Sequence, residues 1–521
     1  MSPPLPPFLA DALGQIVATP TATHCWHGLF DLCSDADQAV RTSIQEFLEK
    51  HIPDGGVARF FCATFLAGLT GNTAYVAEAG RIVQTIEPFD AERSVSFLVY
   101  QWAVAVRTQM DRTGFVRNLR QASLPEIVSQ AGEHLANQVS DRPVLRTPGR
   151  VGRVAMVTPY ISNSSHTPTT TALNHARLLI GLGLDVHIFS AQDSRPAQMH
   201  EYLGNKGTIV VTPPDVSELR NHIPDKLTVT FSIEHFSLME RWTGMLKLIS
   251  AYDPDLVFFV GLFSPLMTPL YQARPVLGLN VHSVQPMAPV DVWLTSRAEL
   301  SNQISHTWGP ALPGAWAFHH PYRVALKATP ERLVQIDPGL PKDALVLITA
   351  GYRLPREITG SWARQMEQLL RAHPDIVWLL VGGEGLLPPA LAEVAQEQLR
   401  LIPNQDAIQG LLRCSDIYIN PPRMGGGFSV AEAMAEGLPV VSYAHSDGGD
   451  KMGAAAVTRD ADYFSRLELL LHNSDLRKQE GMEMRRIFSQ RLDLQKSGAS
   501  LLAACELALE RHQLRANSIT S

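Results

Sequence analysis

The sequence predicts an α/β protein in which two parallel-sheet domains follow an all-helical N-terminal domain. The first 145 residues carry helical periodicity and almost no strand pattern. From Val151 onward, short apolar strands alternate with amphipathic helices, and this alternation requires parallel strands covered by helices. The 521 residues also exceed what one core normally organises, so two or three domains are expected.

Composition excludes several classes of partner. A net charge of −7 provides no basic surface for nucleic acid or for an anionic membrane. The N-terminus lacks the basic start and apolar core of a signal peptide, so we expect a cytoplasmic protein. Residues 256–273 are uncharged but contain two prolines, which favours a buried strand and helix over a membrane segment. The five scattered cysteines have no metal-ligand spacing and are interpreted as buried thiols.

The helical domain is predicted to span residues 1–145, and two explanations of its role remain open. It is either a packing domain or a platform for an acceptor or partner protein. Its predicted helices cover residues 43–50, 57–69, 73–86, 91–108 and 124–139.

The first α/β domain is predicted at residues 151–330 and is Rossmann-like. Its first loop lacks the GxGxxG pattern of dinucleotide enzymes, which argues against hydride transfer. His166 lies in that loop, and His282 follows a later strand. Both are candidate catalytic residues, because open α/β sheets bind their ligands at such strand ends. A structural role for each histidine remains open. The predicted strands cover residues 154–158, 186–190, 208–211, 256–260, 276–281 and 292–295.

The second Rossmann-like domain is predicted at residues 340–521, including the C-terminal helices. The Asp-Pro-Asp segment of the first domain, at residues 253–255, is interpreted as a turn between a helix and a strand and not as a metal site. The predicted strands cover residues 345–349, 377–381, 399–402, 417–419 and 440–443.

A glycine loop follows the strand at residues 417–419. Gly425, Gly426 and Gly427 allow positive φ angles and a close approach of a ligand to the backbone. We expect Ser429 to cap a helix over residues 430–436. Free N–H groups at a helix N-terminus favour a diphosphate, and Arg423 is a second, charged candidate ligand.

Glu432 is predicted on the first turn of this helix. There its carboxylate can accept hydrogen bonds from both hydroxyls of a ribose whose phosphates lie on the glycine loop. The alternative is a tight strand-to-helix turn in which Glu432 only stabilises the helix dipole.

The segment GGGFSVAEAMAEGLPVV resembles the donor-binding signature of the GT-B glycosyltransferases, especially retaining family 4 (group 1). Glu432, Gly437 and Pro439 stand at the positions that the family pattern requires. Met424 replaces the first glutamate of that pattern, which leaves donor identity, the stereochemical outcome and activity open. The resemblance covers roughly residues 150–510 and implies two domains that face a cleft.

The resemblance also implies roles for further residues. Arg353 corresponds to a diphosphate-binding arginine; the family lysine is replaced by Ile358, so Arg356 is expected to assist. The loop containing Gln405 is expected to hold the base, with Phe428 beside the glycine loop. His282 corresponds to a histidine that faces the donor sugar, and the last helix is expected to return to the first α/β domain.

We therefore expect a metal-independent glycosyltransferase, of hexosyl or N-acetylhexosaminyl type, that uses a nucleotide-sugar donor linked to UDP. The acceptor is a glycan, a lipid-linked molecule or a protein, held in part by the helical domain. Two alternatives remain open: a non-catalytic GT-B subunit that assists an active partner, and a nucleotide-sugar epimerase.

Overall fold

The computed structural model shows an all-helical region followed by two separate sheets, in the predicted order. The predicted strand at residues 208–211 and the Gln405 loop lie outside the described residues. The described residues are 5–33, 36–108, 111–139, 143–163, 166–195, 216–233, 235–322, 324–326, 340–341, 344–383, 386–403 and 408–520.

The N-terminal region contains helices α1 to α8, three of which were not predicted. The missed helices are α1, α2 and α7; α7 is rich in arginine and has few apolar positions, so its periodicity is weak. Asp111 caps α7 by accepting a hydrogen bond from the Gly114 N–H at 2.7 Å. The bounds are α1 Pro7–Ala18, α2 Thr23–Cys33, α3 Gln38–His51, α4 Gly56–Thr70, α5 Thr73–Val83, α6 Ala91–Thr108, α7 Arg112–Gln121 and α8 Leu124–Gln138.

The first sheet has eight strands in the order β3-β2-β1-β4-β5-β6-β8-β7. All neighbouring pairs are parallel except β7 and β8. Strands β3, β7 and β8 were not predicted; β3 and β7 lie at the sheet edges, where half-exposed residues weaken the apolar pattern. The bounds are β1 Arg153–Val157, β2 Asp185–Ser190, β3 Thr228–Phe231, β4 Leu256–Val260, β5 Val276–Leu279, β6 Val292–Thr295, β7 Ile304–Ser305 and β8 Ala315–His319.

Helices connect these strands and cover the sheet. The uncharged stretch at residues 256–273 forms strand β4 and helix α12, as predicted. Within the described part of the chain, no helix combines the length and the apolar character needed to cross a membrane. The helices are α9 Thr167–Gly181, α10 Val216–Arg220, α11 Leu238–Tyr252 and α12 Met267–Ala273.

The second sheet has five parallel strands in the order β11-β10-β9-β12-β13. Its strands are β9 Leu345–Ala350, β10 Ile376–Val381, β11 Leu399–Ile402, β12 Ile417–Ile419 and β13 Val440–Val441. Its helices are α13 Leu354–Glu357, α14 Gly360–Ala372, α15 Gln409–Arg413, α16 Gly427–Glu436, α17 Asp447–Met452, α18 Asp460–His472 and α19 Ser474–Arg491.

The helical region shares a core with the first sheet. Successive residues of a strand point to opposite faces. On β1, Ala155 and Val157 belong to the apolar cluster that contains the cores of α1 to α8. Val154 and Met156 belong to the cluster on the other face. The helical region therefore covers one face of the first sheet.

The last helix, α20 (Gly498–Thr520), returns to the first α/β domain, as the resemblance implied. Leu501, Ala504 and Cys505 are buried with the strands of the first sheet. The C-terminal segment therefore belongs structurally to the first α/β domain and not to the second.

Cys33, Cys62 and Cys505 are buried thiols as expected, whereas Cys25 is only partly buried and Cys414 is exposed, which corrects the expectation for those two.

The Asp-Pro-Asp turn lies at the N-terminal edge of the first sheet, opposite the strand ends that carry His282. Asp255 Oδ2 accepts hydrogen bonds from the backbone N–H groups of Gly152 and Arg153, each at 2.8 Å. Asp253 forms ion pairs with three arginines. These arginines are Arg146, Arg153 and Arg274. Both carboxylates thus stabilise contacts between segments that are far apart in the chain.

Candidate functional site

The glycine loop joins strand β12 directly to helix α16. Gly426 has a φ of +90°, and a Cβ at this position would lie 2.3 Å from Asn420 Oδ1 and 2.7 Å from Arg423 Nη2. Only glycine fits both the left-handed backbone and this space. Because the chain turns at Gly426, the helix begins at Gly427, earlier than predicted.

Ser429 does not cap α16, which corrects the prediction. It lies inside the first turn, where its hydroxyl accepts a hydrogen bond from the Tyr418 hydroxyl at 2.7 Å and lies 3.2 Å from the Gly426 carbonyl oxygen. No side chain in the described structure caps this helix. The N–H groups of the first turn therefore remain available to an anion.

Arg423 lies beneath the glycine loop. It is 3% exposed and donates hydrogen bonds to Asn420 Oδ1 (2.8 Å), Glu357 Oε2 (2.9 Å) and the Ala350 carbonyl oxygen (2.8 Å). In this conformation Arg423 holds the loop against the end of β9.

Arg353 lies beside the loop, at the end of β9. Its side chain is one-third exposed and pairs with Glu357 Oε1 at 3.0 Å. Its Nη2 lies 3.2 Å from the position of a Cβ on Gly425, which places the guanidinium against the loop. Burial would raise the pKa of Glu357, but Arg423 and Arg353 outweigh burial and hold that pKa below its usual range. Glu357 thus links both arginines through one buried carboxylate.

The other described residues predicted to bind the donor lie on helices α16 and α13. Glu432 lies on the second turn of α16, not the first, and its charge contributes to raising the pKa of Tyr418, although burial is the main cause. Phe428 is partly buried against the core of the domain. Arg356 is exposed on α13. Ile358, at the position of the family lysine, is fully buried.

Met424 occupies the position of the missing family glutamate. It is 2% exposed and belongs to the apolar cluster that includes the helical region. Its carbonyl oxygen accepts a hydrogen bond from the Asp447 N–H at 2.7 Å. A buried apolar side chain therefore stands where the family pattern has a carboxylate.

His282 lies after β5, and its half-buried ring contacts the helical region. The ring centroid is 5.6 Å from that of Phe115 and 6.5 Å from that of Trp102. Burial, with a smaller contribution from the charge of Arg353, lowers the pKa of His282 to about 4. His282 therefore lies where the first α/β domain meets the helical region, within the electrostatic influence of Arg353 of the second α/β domain.

His166 lies immediately before α9 and makes local contacts. Its Nδ1 is 2.9 Å from Thr169 Oγ1, and its ring packs on Tyr160 with centroids 4.6 Å apart. Burial lowers the pKa of His166 to about 4. These contacts hold the loop after β1 and do not join His166 to His282.

Arg112 of α7 connects the helical region to the second α/β domain, a contact that the sequence did not reveal. It forms ion pairs with Asp450 Oδ2 (2.5 Å) and Asp447 Oδ1 (3.6 Å) and donates to the Ser446 carbonyl oxygen at 3.0 Å. A Cβ on Gly427 would lie 3.0 Å from Asp447 Cβ, so these aspartates adjoin the glycine loop. Burial raises the pKa of Asp447 to about 6, against the influence of Arg112.

Trp102, Phe115 and Arg112 are the functional candidates that sequence reasoning missed. Each lies more than 150 residues from its partner in the chain, and no local pattern marks such a contact. The acidic and glycine-rich segment Asp447-Gly448-Gly449-Asp450, which begins α17, carries no sign in the sequence of its partner Arg112.

Comparisons with known proteins agree with this architecture. Residues 346–473 match the sequence profile of a family described as glycosyl transferases group 1. No curated protein matches this chain. The structure is similar to a mutant O-GlcNAc transferase of Thermobaculum terrenum, with a TM-score of 0.50 and 13% identity over 98% of this chain and 100% of that one.

Weaker similarities include two further glycosyltransferases. One is from Rickettsia africae (TM-score 0.46, 15% identity, 72% of this chain and 100% of that chain). The other is WaaG, involved in lipopolysaccharide biosynthesis (TM-score 0.41, 11% identity, 68% of this chain and 99% of that chain).

The two parallel sheets and the similarity over nearly the whole chain define the fold as GT-B. The profile match shows that the second α/β domain is a glycosyltransferase group 1 domain. This confirms the resemblance found in the glycine-loop segment.

Proposed function

We propose that this protein transfers a sugar from a nucleotide diphosphate sugar, with UDP as the expected nucleotide, to a glycan, lipid-linked or protein acceptor. The observation that carries the proposal is the uncapped N-terminus of α16, which opens onto a glycine loop with Arg353 beside it. Backbone N–H groups, the helix dipole and a guanidinium group together favour a diphosphate.

The ribose and base are assigned to the same domain. Glu432 is partly buried on α16 and carries the carboxylate proposed to accept the ribose hydroxyls. The loop containing Gln405 remains the proposed base site. Arg356 and Phe428 remain proposed neighbours of the donor.

No metal ion is required in this proposal. The leaving diphosphate is stabilised by the loop N–H groups, the α16 dipole and Arg353, with Arg423 acting from below the loop. Groups fixed in this way before the reaction can contribute several kcal/mol of transition-state stabilisation in a closed site. Arg423 and Glu357 fix the loop before the donor binds, which is the preorganisation that such stabilisation needs.

His282 is the proposed contact to the donor sugar, and His166 is the next candidate. A histidine with a pKa of about 4 is neutral at pH 7 and is a weak base there. This favours a role in hydrogen bonding to a sugar hydroxyl over proton abstraction. The contacts of His282 with Phe115 and Trp102 support a role for the helical region in forming the acceptor side.

Calorimetry of the full chain with UDP and GDP in EDTA tests the donor site. We expect binding of a nucleoside diphosphate without added metal, and weaker binding by Arg353→Ala. Arg177→Ala is the control, because Arg177 is an exposed arginine on α9 of the other α/β domain. Absence of binding by folded protein would overturn the assignment.

Product analysis separates transfer from the alternatives. Mass spectrometry after incubation with a panel of nucleotide sugars and cell extract is expected to detect a glycosylated acceptor. A changed sugar on an intact nucleotide would indicate an epimerase. Nucleotide binding without donor hydrolysis or transfer would indicate a non-catalytic subunit, the alternative that the buried Met424 favours.

A further inference from the structure

Two histidines and a glutamate of the second α/β domain lie close together, away from the glycine loop. His373 follows the last residue of α14, while Glu468 and His472 lie one turn apart on α18. One nitrogen or oxygen atom from each side chain lies within 4.8 Å of the other two. We propose that this cluster binds a zinc-type divalent metal ion. This site is independent of the proposed transfer reaction.

The distances within the cluster fit a shared ion better than hydrogen bonds. Nε2 of His373 and Nε2 of His472 each lie 3.4 Å from the same oxygen, Glu468 Oε2. A charge-assisted N–H to carboxylate hydrogen bond is shorter, about 2.7–2.9 Å. Ligands about 2.0–2.1 Å from a tetrahedral zinc ion lie about 3.3–3.4 Å from one another. Each histidine nitrogen therefore lies at the spacing of a neighbouring zinc ligand from the glutamate oxygen, and the two nitrogens lie within 4.8 Å of each other.

The side chains have the freedom to complete this geometry. The side chain of His472 is 68% exposed, so it can rotate at little cost to bring its nitrogen closer to that of His373. Glu468 is 43% exposed and His373 is 21% exposed, so solvent can reach the cluster and supply a fourth ligand. A metal ion can enter without unfolding of the domain.

The ligand atoms of the cluster determine which metal ions it can bind. Two imidazole nitrogens and one carboxylate oxygen suit zinc and neighbouring transition metals. Magnesium and calcium prefer sites made of oxygen ligands and are not expected to bind here. The charge of the carboxylate also attracts a dication.

The position of the cluster indicates a structural role. Helices α14 and α18 pack in one apolar cluster through Trp362, Leu370 and Leu467, so an ion would join two helices that already share a core. His373 precedes β10, whereas the donor loop lies beyond the opposite ends of these parallel strands. Six residues of β10 at about 3.3 Å each separate the two sites by about 20 Å.

A zinc titration of the full chain tests the proposal. The protein is treated with EDTA, desalted and titrated with zinc chloride by calorimetry, and its unfolding temperature is followed in parallel. We expect one binding event and a rise in unfolding temperature of about 5 °C or more when zinc exceeds its Kd by about 100-fold. Magnesium chloride at the same concentration is expected to leave the unfolding temperature unchanged.

Variants of the ligands provide the decisive comparison. His472→Ala and Glu468→Gln should each weaken zinc binding by more than about 100-fold, because even groups outside the ligand set contribute about 10–100-fold in metal sites. His24→Ala is the matched control, since His24 is an exposed histidine on α2. All three variants should bind UDP like the parent protein, which separates this test from that of the donor site.

Three results would overturn the metal site. They are the absence of a zinc-dependent shift, an equal shift with magnesium, and retention of zinc affinity by both ligand variants. Circular dichroism checks folding, and His373→Gln replaces any variant that fails to fold.

Discussion

The two sides of the proposed donor site are built in different ways. On the second α/β domain, β12, the glycine loop and α16 follow one another within residues 417–436. On the opposite side, His282 of the first α/β domain meets Phe115 and Trp102 of the helical region. A site made from one continuous segment leaves a readable pattern in the sequence, whereas a site assembled by packing does not.

The two sides also differ in what holds them in place. Beneath the glycine loop, Arg423 and Glu357 form a buried ion pair at 2.9 Å that also engages Arg353. Around His282, the rings of Phe115 and Trp102 pack against the imidazole, and burial lowers its pKa to about 4. Substitutions on the first side should therefore change electrostatics and loop geometry, while those on the second should change ring packing and orientation.

Gly426→Ala should have the largest effect. The new Cβ would combine a left-handed backbone with a 2.3 Å approach to Asn420 Oδ1. Strain and overpacking together should destabilise the fold by about 2–4 kcal/mol and abolish measurable nucleotide binding. Urea unfolding and calorimetry with UDP measure the two effects.

Gly360→Ala is the matched control for that variant. Gly360 also has a positive φ, +69°, but a Cβ there has no neighbour within 4 Å. It should cost about 1 kcal/mol from backbone strain alone and leave nucleotide binding intact. Equal effects of the two substitutions would contradict the close packing of the glycine loop.

His282→Ala should reduce transfer by roughly a hundredfold or more, the usual scale of a lost oriented hydrogen-bonding or acid–base group. Nucleotide affinity should stay nearly the same, because the proposed nucleotide site lies in the other α/β domain. Turnover measurements combined with calorimetry separate these two quantities.

The pH profile of the parent protein provides a second readout for His282. A histidine with a pKa of about 4 is protonated only below that value, so loss of its neutral form should reduce activity near pH 4 and not near pH 6.5. If His282→Ala turns over normally, His282 is a packing residue and His166→Ala becomes the next variant to measure.

Arg112→Ala tests the connection between the helical region and the second α/β domain. It leaves the mostly buried carboxylates of Asp447 and Asp450 without their arginine and should cost about 1.5–3 kcal/mol of stability at pH 7. Urea unfolding measures the loss. Arg117→Ala, at an exposed position of the same helix, should have little effect.

The cost of Arg112→Ala should depend on pH in a defined direction. The pKa of Asp447 is raised from 3.8 to about 6 in the folded state. Its contribution to the free energy of unfolding therefore falls as the pH rises from about 4 to about 6. Because Asp447 is mostly protonated at pH 4.5, Arg112→Ala should cost less there than at pH 7. An equal cost at both values would show that Arg112 acts only through packing.

Glu432→Gln should have the smallest effect, a loss of about 1–3 kcal/mol in nucleotide binding, the scale of a charge-assisted hydrogen bond. The fold should survive, since the side chain is only partly buried. Unchanged affinity together with a collapsed unfolding temperature would show that Glu432 is a structural helix residue.

Local patterns predicted much of the fold. The strands at residues 256–260, 292–295 and 417–419 have the predicted bounds, because buried parallel strands are continuous apolar runs. Edge strand β3 and helix α7 were missed, because half-exposed elements carry weaker patterns. Ser429 was misassigned as a cap, because the φ angle of Gly426 decides where the helix begins.

The sequence by itself determined the order of the domains, the glycine loop and the resemblance of the second α/β domain to group 1 glycosyltransferases. These features depend on contiguous residues, whose spacing is visible along the chain. Only the tertiary structure decided that Arg423 lies under the loop, that Arg112 reaches Asp450 and that aromatic residues of the helical region surround His282. Burial and charge pairing at these positions arise between segments far apart in sequence, so no local spacing encodes them.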